Sequence, residues 1–339
     1  MNKILTIVVP TYNAEKYLRD NLDSFRVKEL FSDIEVLIVN DGSTDRSLQI
    51  ANEYVEQYPD VYRVITKENG GHGSGINCGI QYAAGKYFKV VDADDWVEKD
   101  AFTQLVQCLK TTSSDVIYSG FLWAFDRGEA SIHDFETKAE FESPFADVIY
   151  NQEYEFDQIA RKAYIKMHNL TIKTAILKQH MIPIDEHCYY VDSEYITYPI
   201  PYVNTITFLK DFVYRYRIGT TQQSVSIAQM QKNEKHYDKV IHSLLNFYSR
   251  LGKQIACSDE KKAYLAGIIA RVIAGKYKIM LSGPCTAEKK SQLVAFDKMI
   301  KRDFHEIYLA NCNRPVSLLR LSGYTLYGVA GALVKHKYR

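Results

Sequence analysis

Three carboxylates stand together in Lys89-Val90-Val91-Asp92-Ala93-Asp94-Asp95-Trp96, directly behind an apolar run. Adjacent acids at a core edge repel one another and resist desolvation, so they call for a counter-charge. A divalent cation supplies it, and hard ions such as Mn²⁺ and Mg²⁺ take carboxylate oxygens together with substrate phosphates. Asp92 and Asp94 are therefore read as a metal–nucleotide pair, while Asp95 is expected to cap the next helix. Three other polar segments share this placement. Val8-Val9-Pro10-Thr11-Tyr12-Asn13 stops a strand at Pro10 and leaves Tyr12 and Asn13 at its tip, where Asn13 alone would equally serve as a helix cap. In Asn40-Asp41-Gly42-Ser43-Thr44-Asp45, Asp41 can accept from a base or ribose, Gly42 permits a tight turn, and Asp45 suits an N-cap. Glu68-Asn69-Gly70-Gly71-His72-Gly73-Ser74-Gly75 can bring backbone N–H groups to an anion, yet matches neither a dinucleotide fingerprint nor a P-loop.

The elements that would position these residues alternate. Ile4 to Val9, Ile34 to Val39, Val61 to Ile65 and Tyr87 to Val91 are short continuous apolar runs, as in strands buried on both faces. Amphipathic stretches separate them: Glu15 to Leu30, Asp45 to Gln57 and Gly73 to Ala84. The pattern predicts an α/β fold with an open, mostly parallel doubly wound sheet, whose ligands bind beyond the carboxyl ends of the strands. Further on, Lys99 to Lys110 reads as a helix and Val116 to Gly120 as a strand. Ile159 to Met167 and Phe208 to Tyr216 read as strands, and 121–160 has no clear pattern. From 228 onward helical periodicity takes over, with Gln229 to Leu251, Glu260 to Leu281, Ala287 to Arg302 and Val316 to Lys335 as helices. The domain reading is 1–227 (1–98 for nucleotide, 99–227 for acceptor) and a helical region 228–339.

Taken jointly, Pro10-Thr11-Tyr12-Asn13, Asp41-Gly42-Ser43-x-Asp45, Asn69-Gly70-Gly71 and Asp92-Ala93-Asp94-Asp95 resemble the family 2 glycosyltransferases, which have the GT-A fold. The resemblance covers about residues 3 to 225. It implies an inverting enzyme that moves a sugar from a UDP-sugar donor to a hydroxyl of a glycan or lipid-linked glycan acceptor, with Mn²⁺ or Mg²⁺. It implies further that Pro10, Thr11, Tyr12, Asn13, Asp41, Asn69, Gly71, Asp92 and Ala93 hold the nucleotide-sugar. Tyr12 would face uracil, Asp41 would bond it, Asp92 would face the ribose and Asp94 would bind the metal. Where the family often carries an Arg facing the diphosphate, this chain has Ile76, so Lys67, His72 or Arg217 must compensate. The family's general base maps to Asp192, with Glu194 as runner-up. Arg217 and the stretch Gln222-Gln223-Ser224-Val225-Ser226 resemble the region that closes over the donor, though Arg217 would equally suit a strand whose Arg side chains pair with surface acids. By family analogy the product belongs to bacterial cell-surface polysaccharide or teichoic acid. Two other readings fit the same acids: a nucleotide-sugar-binding protein without catalysis, and a metal-dependent nucleotidyltransferase.

Composition narrows the setting. The net charge of +1 argues against a nucleic-acid partner. The 6 cysteines form neither C-x-x-C pairs nor zinc spacings, which suits reduced thiols and a cytoplasmic location. No run of about 20 apolar residues is present to span a bilayer. The tail is distinctive: no acid follows Glu306, and Arg314, Arg320, Lys335, Lys337 and Arg339 are interspersed with leucines. Such a segment suits peripheral contact with the inner face of the plasma membrane, packing on the catalytic domain, or homo-oligomerisation.

Overall fold

Leu5–Thr11 (β1) and Ile34–Asn40 (β2) are buried along their whole length, so they lie inside a sheet covered on both faces. In a computed structural model that describes residues 3–129, 131–139, 148–180, 182–219 and 226–337, the chain divides into two units between Thr221 and Gln222. The first contains β1, α1 (Leu18–Ser24), β2, α2 (Ser47–Gln57), β3 (Tyr62–Thr66), α3 (His72–Tyr82), β4 (Tyr87–Val90), β5 (Trp96–Val97), α4 (Lys99–Thr111) and β6 (Val116–Phe125). It continues with β7 (Glu136–Ala139), β8 (Glu153–Glu155), α5 (Phe156–Ile159), β9 (Leu170–Lys173), α6 (Thr174–His180), α7 (Asp192–Thr197) and β10 (Thr205–Ile218).

These strands form one open mixed sheet in the order β3-β2-β1-β4-β9-β6-β10-β5, with β7 beside β6 and β8 beside β10. The β3-β2-β1-β4 half is parallel, as is the β6–β10 pair, while β9 runs antiparallel between β4 and β6. The ends of β1, β2 and β4 thus open on one edge, where the motif loops gather. The core is built from the apolar faces of these strands with Leu18, Leu22 and Phe25 of the α1 segment and Phe102, Leu105 and Leu109 of α4.

The second unit is helical: α8 (Ile227–Lys232), α9 (Glu234–Arg250), α10 (Asp259–Ser282), α11 (Ala287–Asp303), α12 (His305–Ala310), α13 (Arg314–Leu321) and α14 (Tyr327–Lys337). The long α10 is its centre and packs on α9, α12 and α14. Among the described residues, no helix is long and apolar enough to cross a membrane.

Several sequence expectations are corrected. Ile159 to Met167 is not a strand: the Lys162 and Ala163 N–H groups donate back to the Ile159 carbonyl, turning the chain so that β9 starts only at Leu170. The helix expected over Glu15 to Leu30 is confined to Leu18–Ser24, with a separate 3₁₀ turn at Lys28–Leu30 after extended Val27. The stretch without a pattern holds the second half of β6 together with β7 and β8. Val316 to Lys335 is two helices, because Gly323 and Tyr324 both take positive φ, at 57° and 65°.

Candidate active site

The first two strand-end loops are laced together by side-chain-to-backbone bonds. Asn13, at φ 50°, accepts through its side-chain oxygen from the Thr44 N–H at 2.8 Å. Its own N–H donates to Ser43 Oγ at 3.1 Å, and the Glu15 N–H donates to Asp45 Oδ2 at 3.0 Å. Asn13 thereby fastens one loop to the other instead of capping its own helix. Tyr12 between them stays 53% exposed, its ring open to a ligand. Pro10 and Thr11 remain within β1, paired with Val39 and Asn40, and both are buried.

Asp41 is only 3% exposed, and its carboxylate gathers four donors. These are Lys67 Nζ at 2.8 Å, Asn69 Nδ2 at 3.1 Å, and the N–H groups of Gly70 and Gly71 at 2.9 and 2.7 Å. The glycine-rich turn is therefore folded around a buried charge, and Asp41 organises the site at least as much as it faces it. Gly71, at φ 83°, is the residue that turns this loop into α3.

The acidic turn after β4 is gripped from three sides. Asn21 of α1 donates to the Asp92 and Asp95 carbonyls, both at 2.9 Å. The Tyr214 hydroxyl accepts from the Asp92 N–H at 3.2 Å and donates to Asp95 Oδ2 at 2.5 Å. The Arg217 N–H donates to Asp95 Oδ1 at 2.8 Å, and its Nε donates to the Asp94 carbonyl at 2.8 Å. Register shifts between Phe208, Phe212 and Tyr214 in the β6–β10 pairing lie just ahead of Tyr214 and Arg217 on β10, and such irregularities re-aim the side chains that follow. Asp95, 1% exposed, is thus an inward anchor and not a helix cap; Glu98 caps α4 by accepting from the Ala101 N–H at 2.8 Å. With Asp95 turned in and buried Ala93 beside it, Asp92 and Asp94 are left partly exposed.

Their charges are graded by their neighbours. Burial opposes ionisation of Asp92, but the charge of His72 and its hydrogen bond, with Nε2 2.8 Å from Asp92 Oδ1, hold the carboxyl below its ordinary value. His72 is raised in turn: burial works against its proton, and Asp92, then Asp192 and Asp94, outweigh it. Burial and the charge of Asp92 push Asp94 up to about 6. Burial, then Asp94 and Asp92, push Asp95 well above the carboxylate range despite its two donors. Behind the turn, His168 packs its ring on Phe121, Tyr214 and Tyr216 at 4.5–5.0 Å between centroids, and burial lowers it to about 3. Its Nδ1 is buried without a hydrogen-bond partner, and one of its ring nitrogens lies within 4.8 Å of carboxylate oxygens of Asp92 and Asp95. Lys89, wholly buried in β4 and lowered by burial to about 7, donates to the His168 carbonyl at 2.9 Å and fixes that turn.

Asp192 is the first residue of α7 and is exposed. Desolvation and the charge of Asp92 raise its carboxyl, with His72 opposing, so Asp192 lies within electrostatic reach of both. The segment leading to it is fastened to α3. Asn77 donates to the Ile184 carbonyl at 2.9 Å and accepts from the Ile184 N–H at 3.0 Å, while the His187 N–H donates to the Gly70 carbonyl at 2.5 Å. Gly73 permits the approach, because a Cβ there would sit 2.3 Å from the Asp185 carbonyl oxygen. Glu194 is wholly buried and accepts from the Asp185 N–H at 2.8 Å, so it supports this segment and is removed from contention as a base.

The structure brings Tyr12, Asn13, Asp41, Asn69, Gly71, Asp92 and Asp94 to one sheet edge, and puts Asp192 within electrostatic reach of Asp92. It does not leave Arg217 open for a diphosphate. That side chain is 3% exposed, pairs with Asp126 at 3.0 Å and Asp20 at 3.3 Å, and stacks over Tyr17 and Trp96. Lys67 is likewise bound to Asp41, and Ile76 is wholly buried, so of the proposed compensating cations His72 is the one set among Asp92, Asp94 and Asp192. Residues 222–225 of the expected closing segment lie outside the described residues. Sequence reasoning missed His168, Asn77 and Lys89; only Lys89 gave a signal, as the single charge inside an apolar strand.

An open mixed sheet with a paired-acid turn at the end of a central parallel strand, followed by a helical region, is the architecture of the GT-A glycosyltransferases. The glycosyl transferase family 2 model matches residues 6–182, more than half of the chain, and the chain belongs to that family. Among its relatives, the uncharacterized glycosyltransferase EpsJ of Bacillus subtilis is 26% identical over 78% of this chain and 75% of its own length. The teichoic acid poly(glycerol phosphate) polymerase of Staphylococcus epidermidis is 30% identical over 82% of this chain, which spans 36% of that protein. In fold, the chain is similar to S. aureus TarS 1–349, crystallised with UDP-GlcNAc, at a TM-score of 0.64 and 20% identity over 99% and 91% of the two chains.

Proposed function

We propose that this glycosyltransferase moves a sugar from a UDP-sugar to a hydroxyl of a glycan or lipid-linked glycan, with inversion, in assembly of a cell-surface polysaccharide or teichoic acid. The reading rests on one observation: Asp192, at the start of α7, lies within electrostatic reach of the Asp92–His72 pair, at the edge where the nucleotide motifs converge. The TarS structure, which holds UDP-GlcNAc, and the teichoic acid polymerase relative support the donor and product classes. The reaction is assigned to the cytoplasm, in keeping with scattered cysteines of no disulfide spacing.

In this reading Tyr12 stacks on the base, and Asp41, Asn69 and Gly71 shape the wall against it, with Pro10, Thr11 and Asn13 holding that wall. Asp92 and Ala93 border the ribose and sugar, and His72 supplies positive charge near the phosphates. The donor set suits Mn²⁺ or Mg²⁺: Asp92, Asp95 and His168 offer ligand atoms within 4.8 Å of one another, burial favours the neutral form of His168, and Asp94 stands beside them with its ionisation opposed by burial and by Asp92. Asp95 is the weaker ligand, its two oxygens already accepting from Tyr214 and Arg217. When bound, such an ion stabilises charge on the departing diphosphate. Asp192 takes the proton of the acceptor hydroxyl as that oxygen attacks the anomeric carbon from the opposite face.

Asp192→Asn tests the assignment. UDP release in the presence of acceptor should fall by about two to four orders of magnitude, while calorimetric UDP affinity with Mn²⁺ stays within about twofold. Turnover near the wild-type rate would remove Asp192 from the mechanism.

A further inference from the structure

Helix α14 is apolar on both sides. Tyr327, Ala330 and Val334 are buried in a helix that packs on α10 and α13. Val329 and Leu333 point away and are 51% and 52% exposed, and Leu326, one turn before them, is 37% exposed. These three lie at i, i+3 and i+7, a single stripe along the outer face. Leu321, at the end of α13, extends the stripe and is 88% exposed. A helix apolar all round needs an apolar neighbour on its second side, and contiguous exposed leucines mark a docking surface.

The stripe is held on a fixed support. Asp297, 1% exposed, accepts from Arg320 Nη2 at 2.7 Å and Nε at 3.1 Å, from the Tyr324 hydroxyl at 2.6 Å, and from the Tyr277 hydroxyl. Arg320 and Tyr324 flank the left-handed corner at Gly323 between α13 and α14. A buried carboxylate with several donors thus locks the corner that presents Leu321 and Leu326 to solvent.

Charge selects the partner. From Ile307 onward the sequence carries five Lys or Arg and no acid, and Arg320 is neutralised by Asp297. Among the described residues, no acid pairs with Arg314 or Lys335. A second copy laid face to face on the stripe would bring like charges together. At 11 residues, or about 16 Å at the helical rise, α14 is too short to cross a hydrocarbon layer of about 30 Å. An apolar stripe with uncompensated cations matches a surface of anionic headgroups over acyl chains. We propose that the outer face of α13 and α14 docks on an anionic lipid bilayer, lying along it.

The test uses the full chain and vesicles of phosphatidylcholine with or without phosphatidylglycerol, read by co-sedimentation. The bound fraction should rise with phosphatidylglycerol and fall with salt. A Leu326→Ser, Val329→Ser, Leu333→Ser variant should lower partitioning at least about tenfold, because each substitution removes a side chain that would bury its apolar area. Lys335→Glu with Lys337→Glu should abolish the phosphatidylglycerol dependence. Both variants should keep UDP release in lipid-free solution, since none of these residues lies in the first unit; Leu321→Ser alone serves if the triple variant folds poorly. Equal sedimentation of wild type and the serine variants would overturn the proposal. So would a lipid-free dimer that the serine variants dissolve.

Discussion

Replacing Asp41 with Ala should destabilise the first unit by about 3–5 kcal/mol and loosen nucleotide binding with it. The magnitude follows from counting what each donor has left. Lys67 is partly exposed and can turn to water, and Asn69 keeps its bond to the Asp41 carbonyl at 2.9 Å. The Gly70 and Gly71 N–H groups are fixed in the backbone and have less recourse: they donate to the lost carboxylate at 2.9 and 2.7 Å, the first bond buried and the second partly so. A hydrogen bond to a charged group contributes about 1.5–3 kcal/mol, so two orphaned donors give at most about 6 kcal/mol, and about 3–5 kcal/mol once the partly buried Gly71 N–H recovers some hydration. Asp41→Asn should cost less, since one oxygen can still accept, but its amide would confront the same N–H groups. The chain's 2 tryptophans, Trp96 and Trp123, both lie in the first unit, so fluorescence during urea unfolding reports that unit alone. Calorimetry with UDP should show the parallel loss of affinity. A cost below about 1 kcal/mol for Asp41→Ala, the scale of a surface substitution, would refute the claim that the turn is folded around this charge.

Two further outcomes follow from the acidic turn. The Asp94 carboxyl is raised in the fold to about 6 from an ordinary 3.8, so ionising it opposes folding; the penalty is absent below about pH 4, grows between the two values and is complete above 6. Asp94→Asn should therefore raise the Tm of metal-free protein at pH 7 but not at pH 4, and should lose Mn²⁺-enhanced UDP binding; an unchanged Tm at pH 7 would contradict it. Arg217→Lys keeps the charge but loses the fork that reaches Asp126, Asp20 and the Asp94 carbonyl. It should cost about 3 kcal/mol, as for a broken buried pair, and reduce turnover through the turn; urea unfolding and UDP release check both.

The parallel half of the sheet was legible because β1, β2 and β4 are buried on both faces and must be continuous apolar runs. The loops after them were legible because strand ends are where polar residues have no reason to cluster unless a ligand or a turn needs them. The antiparallel insertion was not: the apolar stretch from Ile159 has strand-like composition, and only the backbone reversal at Lys162 and Ala163 shows that the strand lies further on. Asp95 and Arg217 were misjudged for a common reason. Spacing shows that a residue is near a site but not which way it points, and both turn inward to hold the loop whose neighbours face out. His168 is brought to Asp92 by pairing between β4 and β9, a contact across more than seventy positions with no local sequence mark.

The clasp between Asn77, Gly70 and the segment from Ile184 to His187 has a mechanical consequence. Helix α3, which the proposed function sets beside the phosphates, also carries the tether of the segment that leads to Asp192. On the proposed function, a shift of α3 on seating a nucleotide would be passed through these bonds to the segment that precedes Asp192. On that proposal, donor engagement and the placing of the base that deprotonates the incoming alcohol are coupled.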